Sequence, residues 1–264
     1  MAKAKVIAIG NHKGGVAKTT TTANLGAALV KSGKKVLLVD LDPQASLSTL
    51  FQKEISENNI YKAIKFECEA VPYEVRDNLF LIPSTLDLIG AESELADMLG
   101  RDTLVKDILK PFISKFDYIL IDTPPALSLL TINGLVAADD MIITFLPEPL
   151  VLAGMVKILN TIDKIKSRLN PNLEILGLLP TLYKNVNVHA DILDAIEYKY
   201  PGLLFKSRIR NSISLVNAQG DNQTIFEYDK DSNGAKDYYS FASEFIEKET
   251  QTGKPKGRKK KAVN

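Results

Sequence analysis

Short apolar runs alternate with longer amphipathic stretches along this chain of 264 residues. Val6–Ile9, Val36–Val39, Leu79–Ile82, Tyr118–Ile121, Met141–Phe145 and Ile175–Leu179 are rich in Val, Ile and Leu and carry no charge. Runs this short and this uniformly apolar fit strands buried on both faces. Helical spacing fills the gaps: Thr19–Lys31 closing at Gly33, then Leu104–Ser114, Leu129–Ala137, Leu150–Leu169 and Ala190–Lys199. Gly33 and the pair Pro201-Gly202 act as helix stops. A last helix is expected from about Ala235 to Lys248, with Tyr238, Phe241, Ala242 and Phe245 on one face. Strands alternating with helices imply right-handed βαβ crossovers. The expected fold is α/β, three layers deep, with a mostly parallel sheet and helices on both faces. One domain is expected over residues 1–249, without internal repeat or linker. Residues 250–264 are Gly/Pro/Lys-rich with nothing to bury, and are expected to form a disordered basic tail.

Charge adds one feature to this picture. The net charge is only +1, yet residues 254–261 hold six basic side chains and no acidic one. Without them, 27 basic residues face 32 acidic ones and the body is net −5. Segregation of this kind points to a partner or to a solvating tail. Cys68 is the only cysteine, so the chain can form no internal disulfide and no cysteine metal cluster of its own. His12 and His189 lack neighbouring Cys or His at ligand spacing, and neither is read as a metal ligand. No apolar run approaches the roughly 18 residues of a membrane span, and the N-terminus lacks the apolar stretch of a signal peptide. A cytoplasmic protein is expected.

The chemistry is concentrated between Gly10 and Thr20. There an apolar strand runs into Gly10-Asn11-His12-Lys13-Gly14-Gly15-Val16-Ala17-Lys18-Thr19-Thr20 and on into a helix. Glycines let consecutive backbone N–H groups converge on phosphate oxygens, and the helix brings its positive end. Lys18 supplies a point charge to the β- and γ-phosphates, and the Thr19 hydroxyl is placed to ligate Mg²⁺. ATP and Mg²⁺ are therefore the expected cofactors. Asp40 and Asp42 follow the second apolar run, at the sheet end where α/β proteins bind ligands. At a spacing of two on extended backbone, their side chains point the same way. Asp122 closes the run Tyr118–Ile121, where a carboxylate can hold Mg²⁺ through water.

Ala17 stands where the generic loop has glycine before its lysine, and a second lysine, Lys13, precedes the glycine pair. Lys13-Gly14-Gly15-Val16-Ala17-Lys18-Thr19 thereby resembles the deviant Walker A motif of the ParA/MinD ATPases. Val36–Gln44 and Tyr118–Pro125 resemble two further segments of that family, and the resemblance runs from about Lys5 to Glu247. It implies that ATP closes a homodimer, with Lys13 reaching the partner's phosphates. It also implies that Asp42 orients the attacking water while Asp40 and Asp122 support the metal's water shell. By the same resemblance Glu148 contacts ribose across the dimer, and Ile209-Arg210-Asn211 lies where the family places its adenine contacts, with Ile209 replacing the usual proline. Non-specific DNA binding is implied too, with Lys184, Arg208, Arg210 and the tail lysines Lys259, Lys260 and Lys261 as candidate contacts. A ParB-like or cargo adaptor would stimulate hydrolysis, and the protein would associate with the nucleoid.

Two branches of the superfamily fit poorly. The iron-protein branch needs two cysteines per subunit, and the MinD branch needs an amphipathic membrane helix, which a tail with only Ala262 and Val263 as aliphatic residues cannot form. With the loop opening at Gly10, no helix-turn-helix is expected ahead of it. Two alternatives remain open: an ATPase of this fold that positions a protein cargo, and a metabolic P-loop synthetase that phosphorylates a carboxylate.

Overall fold

The computed structural model describes residues 3–51 and 57–252. Seven strands form one sheet: β1 (Lys5–Gly10), β2 (Val36–Asp40), β3 (Tyr73–Arg76), β4 (Leu79–Ile82), β5 (Tyr118–Asp122), β6 (Asp140–Phe145) and β7 (Glu174–Pro180). Their order is β3-β4-β2-β5-β1-β6-β7, and only the edge pair β3–β4 is antiparallel. The helices, in chain order, are α1 (Lys18–Lys31), α2 (Ser46–Leu50), α3 (Ile60–Ile64), α4 (Ala91–Glu94), α5 (Leu104–Leu109) and α6 (Leu129–Ala137). They continue with α7 (Val151–Arg168), α8 (Asn187–Lys199), α9 (Ile213–Gly220), α10 (Ile225–Tyr228) and α11 (Asn233–Thr252).

The strict period of two along each strand sorts the core into two halves. Val6, Ala8, Leu37, Val39, Ile119 and Ile121 face one way, onto α3 to α8. Ile7, Ile9, Val36, Leu38 and Leu120 face the other way, onto α1, α2, α9, α10 and α11. Both faces are covered, which is why the strands read as unbroken apolar runs. The three-layer, mostly parallel sheet is as expected.

Each of the six expected strands is present. The edge strand β3 was not foreseen: its Tyr-Glu-Val-Arg sequence is half exposed and lacks the apolar signature of the inner strands. Short α2, α3, α4, α9 and α10 were also missed, being too brief to develop a helical period. The expected helix Leu104–Ser114 is shorter, because Pro111 converts its last turn to 3₁₀ geometry after Leu109. The last helix runs from Asn233 to Thr252, four residues past the expected Lys248, so residues 250–252, expected as disordered tail, are helical. Residues 253–264, including the lysine-rich run, lie outside the described residues.

Beyond β7, Leu203–Phe205 runs alongside the strand: Leu178 N–H donates to the Leu203 carbonyl (2.8 Å) and Phe205 N–H to that of Leu178 (3.0 Å). Gly177 makes this approach possible. A Cβ there would lie 2.4 Å from Phe205 Cε2 and 2.9 Å from the Leu203 carbonyl oxygen. Gly177→Ala should therefore cost about 1–3 kcal/mol of stability, the usual range for overpacking a core. At this chain length each kcal/mol lowers Tm by about 2–4 °C, measurable by thermal denaturation. An unchanged Tm would mean that the flanking segment moves freely.

Candidate nucleotide-binding site

The loop after β1 turns through two left-handed residues, Gly15 (φ 69°) and Ala17 (φ 56°, ψ 33°). For alanine that conformation costs about 1–2 kcal/mol, so the surrounding contacts must hold it. They are specific. Asn11 Nδ2 donates to the Thr144 carbonyl on β6 (2.6 Å), and Asn11 Oδ1 accepts from the Lys13 N–H (3.0 Å). Thr181 Oγ1, just beyond β7, lies 3.1 Å from the Val16 carbonyl and 3.1 Å from that of Phe145, within reach to donate to either. The left-handed turn at Ala17 lets α1 begin at Lys18, with its positive end facing the loop.

The two lysines point in different directions. Lys18 is buried, and its Nζ donates to the Lys13 carbonyl (3.3 Å) across the loop. Burial lowers its pKa, opposed by the negative charges of Asp122 and Asp42. Lys13 is exposed and turns outward into an ion pair with Glu148 of the same chain.

Opposite Lys18 lie the carboxylates. Asp40 and Asp122 pair in register at the ends of adjacent strands β2 and β5, and both are fully buried. Asp122 Oδ2 accepts from the Thr19 hydroxyl (2.6 Å), and its Oδ1 from that of Thr22 (3.4 Å). Burial, and next the charge of Asp40, push Asp122 well above the usual carboxylate range. Asp40 is pushed up to about 6 by burial, against hydrogen bonds from Ser48 and the Asp42 N–H. Ser48 donates to Asp40 Oδ2 through N–H (2.9 Å) and hydroxyl (2.7 Å), while Ser84 Oγ donates to the Asp42 carbonyl (2.8 Å).

This corrects the expected pairing of Asp40 with Asp42. β2 ends at Asp40, and Asp42 lies in the following turn, where its Oδ1 accepts from the Gln44 N–H (2.9 Å). Asp40 has become the anchor of that turn. Asp42 still faces the same space, since its charge acts on both Lys18 and Asp122.

The donor set fits a hard divalent cation. No cluster of three or more His, Cys, Asp or Glu side chains forms a cage among the described residues. Mg²⁺ does not ask for one, since it is commonly held by one or two carboxylates, substrate phosphates and water. Thr19 and Asp122 meet beside Lys18, and two buried carboxylates facing one buried ammonium leave the cluster short of positive charge.

Other expected contacts stand differently. Ile209 is buried in the core between β7 and α11, so its side chain is unavailable to a base. Its backbone pairs with Pro180 and Tyr183, and the Asn211 N–H donates to the Tyr183 carbonyl, leaving the Asn211 side chain exposed. Arg210 is held by Asp237 of α11, through Nε to both carboxylate oxygens (3.1 and 3.0 Å) and Nη2 to Oδ1 (2.6 Å). Arg208 stacks over Tyr183 and donates to its hydroxyl (3.0 Å), and Lys184 is exposed. Lys259, Lys260 and Lys261 lie outside the described residues. No described helix is long and apolar enough to cross a membrane.

Sequence reasoning missed Asn11, Ser48, Ser84 and Thr181, whose partners lie on other elements. Thr22 was findable, because it stands one helical turn after Lys18 and so shares the face that meets Asp122.

A family model described as an AAA domain (AAA_31) matches residues 4–175. The sporulation initiation inhibitor protein Soj of Bacillus subtilis is 36% identical over 246 residues, covering 91% of this chain and 97% of Soj. The chromosome partitioning protein ParA of Myxococcus xanthus is 34% identical over 254 residues, 93% of this chain and 89% of ParA. Among solved structures, a Mycobacterium smegmatis protein described as cobyrinic acid a,c-diamide synthase, with bound ADP and magnesium, superposes with TM-score 0.83. It is 33% identical and covers 94% of this chain and 96% of its own. A putative plasmid partition protein of Borrelia burgdorferi bound to AMPPNP gives TM-score 0.79 at 28% identity, covering 95% and 100%. A Cyanothece McdA variant in complex with ATP gives 0.83 at 25% identity, covering 94% and 98%. With these likenesses spanning nearly its whole length, the chain belongs to the AAA domain family and, within it, to the Soj/ParA-type partition ATPases.

Proposed function

We propose that this protein is an ATP-dependent dimerising ATPase that binds DNA without sequence preference and drives the segregation or positioning of plasmid or chromosomal DNA. The observation that carries the reading is the divergence of the two loop lysines, Lys18 turned in and Lys13 turned out. A lysine that leaves its own phosphate loop is available to a second subunit's nucleotide. ATP lies along Lys13–Thr20, its phosphates held by the loop N–H groups and Lys18. Mg²⁺, held by Thr19 and through water by Asp122 and Asp40, would neutralise charge developing on the phosphates. Asp42 orients the attacking water. Glu148, once released from Lys13, contacts ribose across the dimer, and the backbone around Ile209–Asn211 borders the adenine.

The nucleotide domain, expected over residues 1–249, extends to the end of α11 at Thr252, and the basic tail follows it. A ParB-like or cargo adaptor accelerates a slow basal hydrolysis, in the cytoplasm and on the nucleoid. The likeness to McdA keeps the cargo-positioning version of this cycle in view. The likeness to a protein described as a diamide synthase favours the metabolic alternative. That alternative requires turnover coupled to a carboxylate substrate and indifferent to DNA.

Three measurements test the reading. Lys18→Ala should sharply weaken ATP affinity, whereas Lys13→Ala should keep monomer nucleotide binding and weaken the ATP-dependent dimer seen by light scattering. Each contact is worth about 1.5–3 kcal/mol, roughly tenfold or more in either equilibrium. Normal ATP-dependent dimerisation of Lys13→Ala would remove its role across the interface.

Asp42→Ala should bind Mg-ATP and dimerise yet hydrolyse at least about tenfold more slowly in a single turnover, the lower end expected for losing a positioned catalytic group. If Asp42 only caps its turn, stability falls by about 1 kcal/mol while turnover per folded molecule is unchanged.

DNA binding should require ATP and weaken steeply with salt, with Lys184, Arg208 and the tail lysines as contacts and Arg210 contributing less because Asp237 balances it. The slope of log affinity against log salt should be about −0.9 per neutralised phosphate, from titrations of random-sequence DNA with ATP, ADP or no nucleotide. Equal binding in all three states would refute the cycle. A truncation after Thr252 that kept affinity and slope would exclude the tail as a contact.

A further inference from the structure

His12 separates Asn11 from Lys13, and its ring rests on the first turns of α7. A Cβ built on Gly154 would lie 3.1 Å from His12 Cε1 and 3.4 Å from Nε2, with no other heavy atom within 4 Å apart from the helix's own backbone and chain neighbours. Glycine is a poor residue inside a helix. Here the helix backbone is left bare where an imidazole presses on it.

Two hollows flank the ring. One is a cavity of about 620 Å³ whose walls include Val16, Phe145 and Met155. The other is a narrow cleft beside Thr123, Pro124 and Leu127. Asn11, His12 and Ile158 border both. Burial, and then the charges of Lys157 and Lys18, lower the pKa of the imidazole and favour its neutral form.

The chain ahead of Lys13 is thus fixed at two points. Asn11 ties it to β6 through the Thr144 carbonyl and holds the Lys13 N–H with its Oδ1. His12 stacks the same segment onto α7. From this segment the exposed Lys13 side chain turns outward and pairs with Glu148. We infer that His12 is a positioning residue whose ring, seated on the bare backbone of Gly154, sets the outward aim of Lys13. This rests on the reading of Lys13 as a contact to the partner's nucleotide.

The test is a double-mutant cycle on the full chain with Gly154→Ala, Gly154→Val, His12→Ala and the pair His12→Ala/Gly154→Val. ADP affinity reports on the monomer's own site, light scattering with ATP on the dimer, and Tm on folding. Gly154→Val should weaken ATP-dependent dimerisation by about tenfold or more, and Gly154→Ala by about threefold, the scale of forcing extra carbons into a packed contact. Gly154→Ala should do so with Tm unchanged or raised, because alanine favours the helix. A merely structural defect would lower Tm and dimerisation together. His12→Ala alone should weaken the dimer by about threefold or more, and the pair should return to the level of His12→Ala, the coupling expected of two groups in contact. ADP affinity should stay within about twofold throughout, below the tenfold step that 1.4 kcal/mol represents.

Wild-type dimerisation by Gly154→Val or by His12→Ala, or a pair no better than Gly154→Val, would overturn the inference. Lys13→Ala, run alongside, separates two failures. Normal dimerisation of that variant removes the reading of Lys13 and this inference with it. Loss of the dimer in Lys13→Ala beside a wild-type Gly154→Val removes this inference alone.

Discussion

Two carboxylates buried side by side set the terms for the rest of this molecule. Asp40 and Asp122 occupy paired positions on β2 and β5, and parallel strands deliver both to the same end of the sheet. Neither touches solvent, and the buried cation beside them is Lys18. Burial raises both pKa values above the unfolded carboxylate range, so the folded state binds these protons more tightly than the unfolded chain. By linkage, stability from Asp40 is full below the unfolded value of 3.8 and is lost as pH rises towards about 6. At neutral pH the cluster therefore opposes folding, and any cation that enters it offsets that cost. The site's appetite for positive charge follows from strand order and burial before any ligand is named.

The same cluster organises the loops around it. Thr19 and Thr22 reach Asp122 from α1, while Ser48 and the Asp42 backbone reach Asp40 from the next turn. Ser84 closes the ring by donating its N–H to Ser48 Oγ and its hydroxyl to the Asp42 carbonyl. The position of Asp40 is thereby tied by hydrogen bonds to the turn that carries Asp42. Groups coupled in this way do not act additively, so truncating Ser48 or Ser84 disturbs Asp42 without touching nucleotide.

How much of this was legible in the sequence depends on the range of the interaction concerned. The inner strands were readable because burial on both faces leaves an uninterrupted apolar run, as in Tyr118–Ile121. The phosphate loop was readable because its glycines, lysine and threonine act within one local turn. β3 was hidden because an edge strand is half exposed and carries a mixed pattern. Thr181, Ser48 and Ser84 were hidden for another reason: each is an ordinary hydroxyl whose meaning depends on a carbonyl or carboxylate on another element. Arg210 shows a different limit. It is exposed, as a lone arginine reads, and only the fold reveals that Asp237, 27 residues further on, pairs with its guanidinium.

That pairing bears on how nucleotide could control a polyanion. The chain before residue 254 is net negative, and Asp237 balances Arg210 while Arg208 lies over the Tyr183 ring. The net negative charge of one subunit's body works against approach to a phosphate backbone. Affinity in such a case grows with the number of phosphates contacted, because each adds its own counterion release. Doubling a weak patch by closing two subunits multiplies affinities, whereas strengthening one patch would bind in every nucleotide state. A net negative body is therefore better suited to a switch than a strongly basic one. On the proposed cycle, weak binding by a single subunit is what would let ATP decide when DNA is bound.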